Sequence, residues 1–163
     1  MAVHRLTREQ RFPQPPELVW PVFADAANLQ AITPEFLHFQ ILTELPVELV
    51  AGARLAYRIR LFGLPIRWDT EITEVVDGER FVDVQRRGPY RVWEHTHLFE
   101  ADGHGGTRMT DHVDYALAGG PLAEPVRRLW VARTLERIFD HRAAVAPELV
   151  ARCSAATASE VSG

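Results

Sequence analysis

Two histidines, two aspartates and several large aromatics share one side of an alternating stretch of this chain. That combination suits proton transfer, or the anchoring of the polar end of a small molecule. In Arg91-Val92-Trp93-Glu94-His95-Thr96-His97-Leu98-Phe99 the two-residue period of a strand puts Trp93, His95, His97 and Phe99 on one face. The preceding segment offers Phe81, Asp83 and Gln85 with the same parity, and the following one offers Met109, Asp111, Val113 and Tyr115. If these are consecutive antiparallel strands, Asp83, His95 and Asp111 fall in or near one row, in a register that can slip by two residues without changing the face.

A buried ionised carboxylate costs several kcal/mol unless it is paired and hydrogen-bonded, so Asp83 and Asp111 need partners. By parity those partners are His95 and His97, and such pairing raises the histidine pKa and lowers that of the aspartate. An imidazole poised in this way can act as a general base. The same groups can instead satisfy one another as a structural network, with Gln85, Tyr57 and Tyr115 closing the remaining hydrogen bonds. A third reading makes them the polar end of a ligand pocket whose apolar part is held by Trp68, Trp93 and Phe99. His-x-His with a carboxylate is also a ligand set for a metal, but so short a motif arises often by chance, and the reading assigns no metal and no cofactor.

The elements that position these residues follow from the pattern along the chain. Residues 3–12 alternate and stop at Phe12-Pro13-Gln14-Pro15-Pro16. A short helix is expected from Glu17 to Phe23, and a second from Asp25, a candidate cap, to Ile32. From residue 36 the period is two for about eighty residues, giving strands at 36–43, 53–61, 65–76, 80–87, 90–100 and 107–117. Turn signals separate them at Ala51-Gly52, Phe62-Gly63, Asp77-Gly78, Gly88-Pro89 and the glycine-rich stretch 102–106. After Gly119-Gly120-Pro121 a helical stripe of Val131, Leu135, Ile138, Phe139, Arg142 and Val145 runs on to about Arg152. Residues 153–163 read as a disordered tail, so the expectation is one domain over 1–152.

Strand parity divides the sheet into an inner face that includes Tyr57, Trp68, Thr70, Asp83 and His95, and an outer face that carries Arg58, Arg60, Arg67, Glu71, Glu94 and Asp114. Trp20 and Trp130 are read as helix packing. Arg142, on the apolar stripe, can pair with a buried carboxylate or reach an anionic ligand.

Composition removes several classes of chemistry. All 18 basic residues are arginine, so a Schiff-base lysine and a lysine-bearing phosphate loop are absent. The serines, at 154, 159 and 162, lie beside the single Cys153 near the end of the chain, which argues against serine or cysteine nucleophiles on the core elements and against a disulfide. A net charge of -4 with arginines interspersed among acids does not fit a nucleic-acid binder. No apolar run approaches the ~18 residues of a membrane span and no secretory leader is apparent, so a cytoplasmic protein without membrane insertion is expected. The oligomeric state is left open.

Strand, two short helices, six-strand meander and long final helix, over residues 3 to about 150, resemble the α+β helix-grip fold of the START-like or SRPBCC superfamily. Within it, Gly63-Leu64-Pro65-Ile66-Arg67-Trp68, the 81–90 segment, Trp93 to Phe99, and Asp111 to Tyr115 are similar to a bacterial cyclase/dehydrase-like branch. The resemblance implies a curved sheet gripping the last helix with a cavity between them, and it names no substrate. The expected role is therefore binding of a small, partly apolar molecule, aromatic, polyketide- or lipid-like. The ligand residues would be Tyr57, Trp68, Asp83, Gln85, Trp93, His95, His97, Phe99, Asp111, Tyr115 and Arg142. The enzymatic alternative is a cyclase or dehydratase. In it His95 or His97 takes a proton, Asp83 or Asp111 orients it, and Tyr57 or Tyr115 polarises a carbonyl. A further alternative is an interaction module with a vestigial cavity.

Overall fold

A computed structural model describes residues 2–61, 63–119, 122 and 124–161. Phe62, Gly120 and Pro121, which belong to two of the expected turns, lie outside the described residues, as do Ser162 and Gly163. Seven antiparallel strands form one sheet: β1 (His4–Phe12), β2 (Gln40–Ile41), β3 (Arg54–Leu61), β4 (Leu64–Val76), β5 (Arg80–Arg87), β6 (Val92–Ala101) and β7 (Thr107–Ala116). Their spatial order is β1-β7-β6-β5-β4-β3-β2, so the meander is continuous and the first strand closes against the last. Helix α1 (Pro16–Ala24) follows β1. One turn of helix, α2 (Glu124–Val126), and a π-helical segment (Arg127–Val131) lead into the long α3 (Ala132–Val161). This is the helix-grip arrangement.

Hairpin chemistry sets the local geometry. Between β4 and β5, Gly78 takes φ 73°, a left-handed conformation that disfavours side chains with a Cβ. Register shifts between Asp69 and Thr70 and between Ile72 and Glu74 interrupt the β4–β5 ladder. Such irregularities bend a strand and increase its twist, which lets the sheet curl around α3.

One end of the concave face is packed solid. Phe12, Val19, Trp20, Phe81, Phe99, Met109, Ala146, Leu149 and Val150 form a cluster between the sheet, α1 and the second half of α3. Full burial of side chains of this size contributes roughly 1.5–3 kcal/mol each. Pro147 interrupts α3 there by leaving the carbonyl of Ala143 without its helical donor. Gln10 of β1 supplies the replacement, its Nε2–H donating to that oxygen at 2.9 Å.

The structure differs from the sequence reading in four places. The strand expected at 36–43 shrinks to Gln40–Ile41, because Glu35–Leu37 forms a 3-10 turn that ends at His38 in a left-handed conformation, φ 45°. The second short helix is a 3-10 turn, Ala26–Leu29, although Asp25 does cap it by accepting from the N–H of Ala27 at 2.9 Å. Residues 153–161, expected to be disordered, continue α3. They are rich in alanine, a strong helix former, and the hydroxyls of Ser154 and Thr157 bond back to the carbonyls of Val150 and Cys153. Trp130, expected in the core, is 55% exposed, while Trp20 is buried against Phe81 and Phe99 as its helix face required. Among the described residues no helix is long and apolar enough to cross a membrane.

Candidate functional site

Where α1 no longer covers the sheet, a cavity of about 190 Å³ remains between the concave face and the first half of α3. Its wall is mostly aromatic and aliphatic. Tyr57 and Trp68 stack with centroids 5.8 Å apart, Trp93 meets Trp68 edge-on at 5.0 Å, and Tyr90 leans on Trp93 at 4.8 Å. The Trp68 indole N–H donates to the Thr70 hydroxyl at 3.1 Å, so the ring offers the cavity an apolar surface with its one polar atom satisfied. Burial raises the Tyr57 phenol well above its ordinary value, and the nearby charge of Asp83 adds to this, so the hydroxyl stays protonated.

The polar groups gather at the boundary between this cavity and the solid core. Asp83 of β5 pairs across the ladder with His95 of β6, and His97 pairs with Asp111 of β7. Asp83 and His95 therefore do share a row, whereas Asp111 sits one pair further along. The side-chain bonds run along the diagonals instead: His95 Nε2–H donates to Asp111 Oδ1 at 2.9 Å, and His97 Nε2–H donates to Asp83 Oδ2 at 3.1 Å. Diagonal neighbours on one face are within reach of long side chains, and here they knit three strands together. Behind them His97 stacks on Phe81 at 4.1 Å, and His95 meets the edge of Phe139 at 5.6 Å. Arg142 comes in from α3, its Nη1 lying 3.7 Å from Asp111 Oδ1. Its Nε and Nη1 are buried without a hydrogen-bond partner.

The electrostatics separate the two imidazoles. His95 lies below its ordinary value, because burial and the charge of adjacent His97 together outweigh the bond to Asp111. His97 lies above it: burial again opposes the charged form, but the carboxylates of Asp111 and Asp83 prevail. Asp111 and Asp83 are both held below the usual carboxylate range, burial being overcome by the two histidines. The two adjacent imidazoles are thus pushed in opposite directions, His95 toward its uncharged form and His97 toward its charged one. The groups differ in access. The Asp83 side chain is 16% exposed against 8% or less for His95, His97 and Asp111, so Asp83 is the member most open to a molecule in the cavity.

Of the residues expected to contact a ligand, Tyr57, Trp68, Asp83, Trp93, His95, His97 and Arg142 line the cavity. Gln85, Phe99, Asp111 and Tyr115 do not. Gln85 turns to the loop before β6, where its amide donates to the carbonyl of Tyr90 at 2.7 Å and accepts from the N–H of Tyr90 at 3.2 Å. Phe99 is covered by Trp20 and Phe23, Tyr115 packs between His4 and Tyr90, and Asp111 lies beneath the histidine rings. The sequence reading missed Tyr90, whose parity points outward but which stands in the loop before β6 begins. It also missed Leu37, Phe39 and Ile138, although the apolar character of 29–39 and the stripe on α3 were available signals.

Solved structures share this architecture. The ZhuI aromatase/cyclase from Streptomyces sp. R1128 superposes with a TM-score of 0.72 at 16% identity, covering 93% of this chain and 95% of that one. TTHA0849 from Thermus thermophilus gives 0.66 at 20% identity over 94% and 99%, and SA2116 from Staphylococcus aureus, described as a protein of unknown function, gives 0.70 at 12% over 93% and 95%. At such identities the likeness is one of fold. No curated protein sequence matches the chain. A family model described as polyketide cyclase / dehydrase and lipid transport matches residues 3–146, nearly the whole of the sheet-and-helix unit that carries the cavity and its polar cluster, and the chain belongs to that family.

Proposed function

We propose that the cavity binds a small, partly apolar molecule, with the aromatic wall of Tyr57, Trp68, Tyr90 and Trp93 taking its hydrocarbon part and the Asp83, His95 and His97 end receiving one polar group. The observation that carries this reading is the junction itself, an apolar hollow that ends on a buried cluster of paired titratable groups. Size narrows the class. An apolar cavity of about 150 Å³ takes one benzene ring, so about 190 Å³ suits one substituted ring as closed here, and a longer polyketide or acyl chain requires α3 to lift. Tryptophan fluorescence titration with phenols, aryl ketones and aryl carboxylates of one to three rings tests it, because Trp68 and Trp93 stand on the wall. Saturable quenching that Trp68→Leu abolishes is expected. Thermal stability and fluorescence unchanged across the whole series would sink the reading.

A cyclase or dehydratase is the second reading, and two adjacent imidazoles pushed in opposite directions favour it. His95 accepts a proton at Nδ1, the nitrogen not bonded to Asp111, His97 Nε2–H exchanges its bond to Asp83 for one to the forming or leaving oxygen and gives up that proton, and the Tyr57 hydroxyl polarises a carbonyl. With a substrate in hand, His95→Gln and His97→Gln each abolish turnover while leaving affinity within about tenfold. Equal losses in affinity and turnover would leave binding alone.

A further inference from the structure

The polar end of the cavity has a second use that the apolar wall does not suggest. Asp83 Oδ2 lies 3.5 Å from His95 Nδ1 and 3.1 Å from His97 Nε2. One donor atom from each of these three residues falls within 4.8 Å of the others. Ligand atoms that share a first-row ion at about 2.1 Å stand roughly 3.0 Å apart at a right angle and roughly 3.4 Å apart at the tetrahedral angle. The two separations to Asp83, 3.1 and 3.5 Å, lie within about 0.1 Å of that range.

The far side of each ring is arranged for the same purpose. His95 Nε2 and His97 Nδ1 both lie 2.9 Å from Asp111 Oδ1, so one carboxylate oxygen backs the two imidazoles. A ligating histidine commonly gives its other N–H to a carboxylate, which sets the tautomer and aims the free lone pair at the metal. The bond from His95 is formed. His97 Nδ1 sits at the right distance without the angle, and it is one of the few buried polar atoms lacking a partner among the described residues. The three donor residues line the cavity, so the remaining coordination positions open onto it.

We propose that Asp83, His95 and His97 form a site for one first-row divalent cation, with Asp111 as the positioning carboxylate behind both histidines. Two imidazoles and one carboxylate, with no thiolate, suit zinc, iron(II), cobalt(II) or nickel(II) better than the all-oxygen preference of calcium or magnesium. On binding, the ion takes the place of the hydrogen that His97 shares with Asp83, which leaves to solvent. The ion, two carboxylates and Arg142 together carry one surplus positive charge, so an anionic oxygen belongs in an open position, from hydroxide or from an acidic or enolisable ligand. His-x-His alone was too short to assign a metal from the sequence. Asp83 at bonding separation and Asp111 behind the rings are what the strand register adds.

Cobalt(II) alone, added to untagged protein stripped with a chelator and free of any organic ligand, tests this separately from the apolar-ligand reading. One equivalent bound per chain is expected, with visible absorption bands and two hyperfine-shifted exchangeable imidazole N–H signals from the wild-type protein, so the result does not depend on a variant folding. Asp83→Asn and His95→Gln should each weaken binding at least about a hundredfold, and Asp111→Asn by about 10–100-fold. His104→Gln, in the exposed turn between β6 and β7, should leave it unchanged. Absence of stoichiometric binding overturns the proposal, as does binding without the two shifted signals or binding that survives in both ligand variants.

Discussion

Asp111 and Asp114 stand three residues apart on β7 and face opposite sides of the sheet. Asp114 meets Arg5 of β1 in a two-pronged ion pair, 2.7 Å from Nε and 2.5 Å from Nη2, with the arginine side chain 61% exposed. Asp111 meets two imidazoles and a guanidinium with its side chain 8% exposed. Both carboxyls titrate low: Asp114 through its bond to Arg5, Asp111 through two histidines that overcome the effect of burial. The energetic meaning is opposite. Water reaches the outer pair, above all its arginine, so little is lost when it breaks. Nothing replaces a missing partner among the two aspartates and two histidines of the inner face, which depend on one another. A low carboxylate pKa therefore does not by itself identify a residue that holds the protein together.

The sharpest way to break this comparison is to remove each carboxylate in turn. Asp111→Ala strands His95, His97 and Arg142 in the interior, and a loss of about 3–5 kcal/mol in denaturant unfolding is expected. A loss under about 1 kcal/mol would mean that water enters the cluster freely. Arg142→Leu gives a middle case of the opposite sign. Its Nε and Nη1 are buried without partners and its approach to Asp111 is long, so the charge is poorly compensated. Stability should hold or rise by about 1 kcal/mol, while affinity for aryl carboxylates in the fluorescence titration falls. A marked destabilisation would show Arg142 to be structural. Asp114→Asn should give the smallest effect, an unfolding midpoint unchanged at physiological salt and only slightly lowered at low salt.

Much of the candidate site was legible from strand period alone. Parity put Asp83, His95, His97 and Asp111 on one face with Trp68 and Trp93, and the ladder agrees, because a side chain cannot change face without a bulge or a one-residue slip. What escaped was of two kinds. Gln85 keeps the inner parity, opposite Thr70, but its amide is consumed by the backbone of Tyr90 rather than turned toward the cavity, and Tyr90 precedes β6, where strand parity does not apply. Phe99 and Tyr115 share the right face but lie under α1 and against β1, which strand alternation does not reveal. The helical continuation through 153–161 escaped for another reason: small, polar composition was read as disorder where alanine content and local hydroxyl bonds support a helix.

The amino-acid sequence by itself determined the order of elements, the two faces of the sheet and the chemical groups available, since each depends on periodicity within a few residues and on which side chains exist at all. The absence of lysine and the confinement of serine and cysteine to residues 153–162 belong to this level. Only the tertiary structure decided that His95 reaches Asp111 while His97 reaches Asp83, that one oxygen of Asp111 backs both rings, and that α1 fills one end of the concave face while the other stays open. Those outcomes rest on register across the sheet and on where two helices sit over it, set by contacts among residues far apart in the chain.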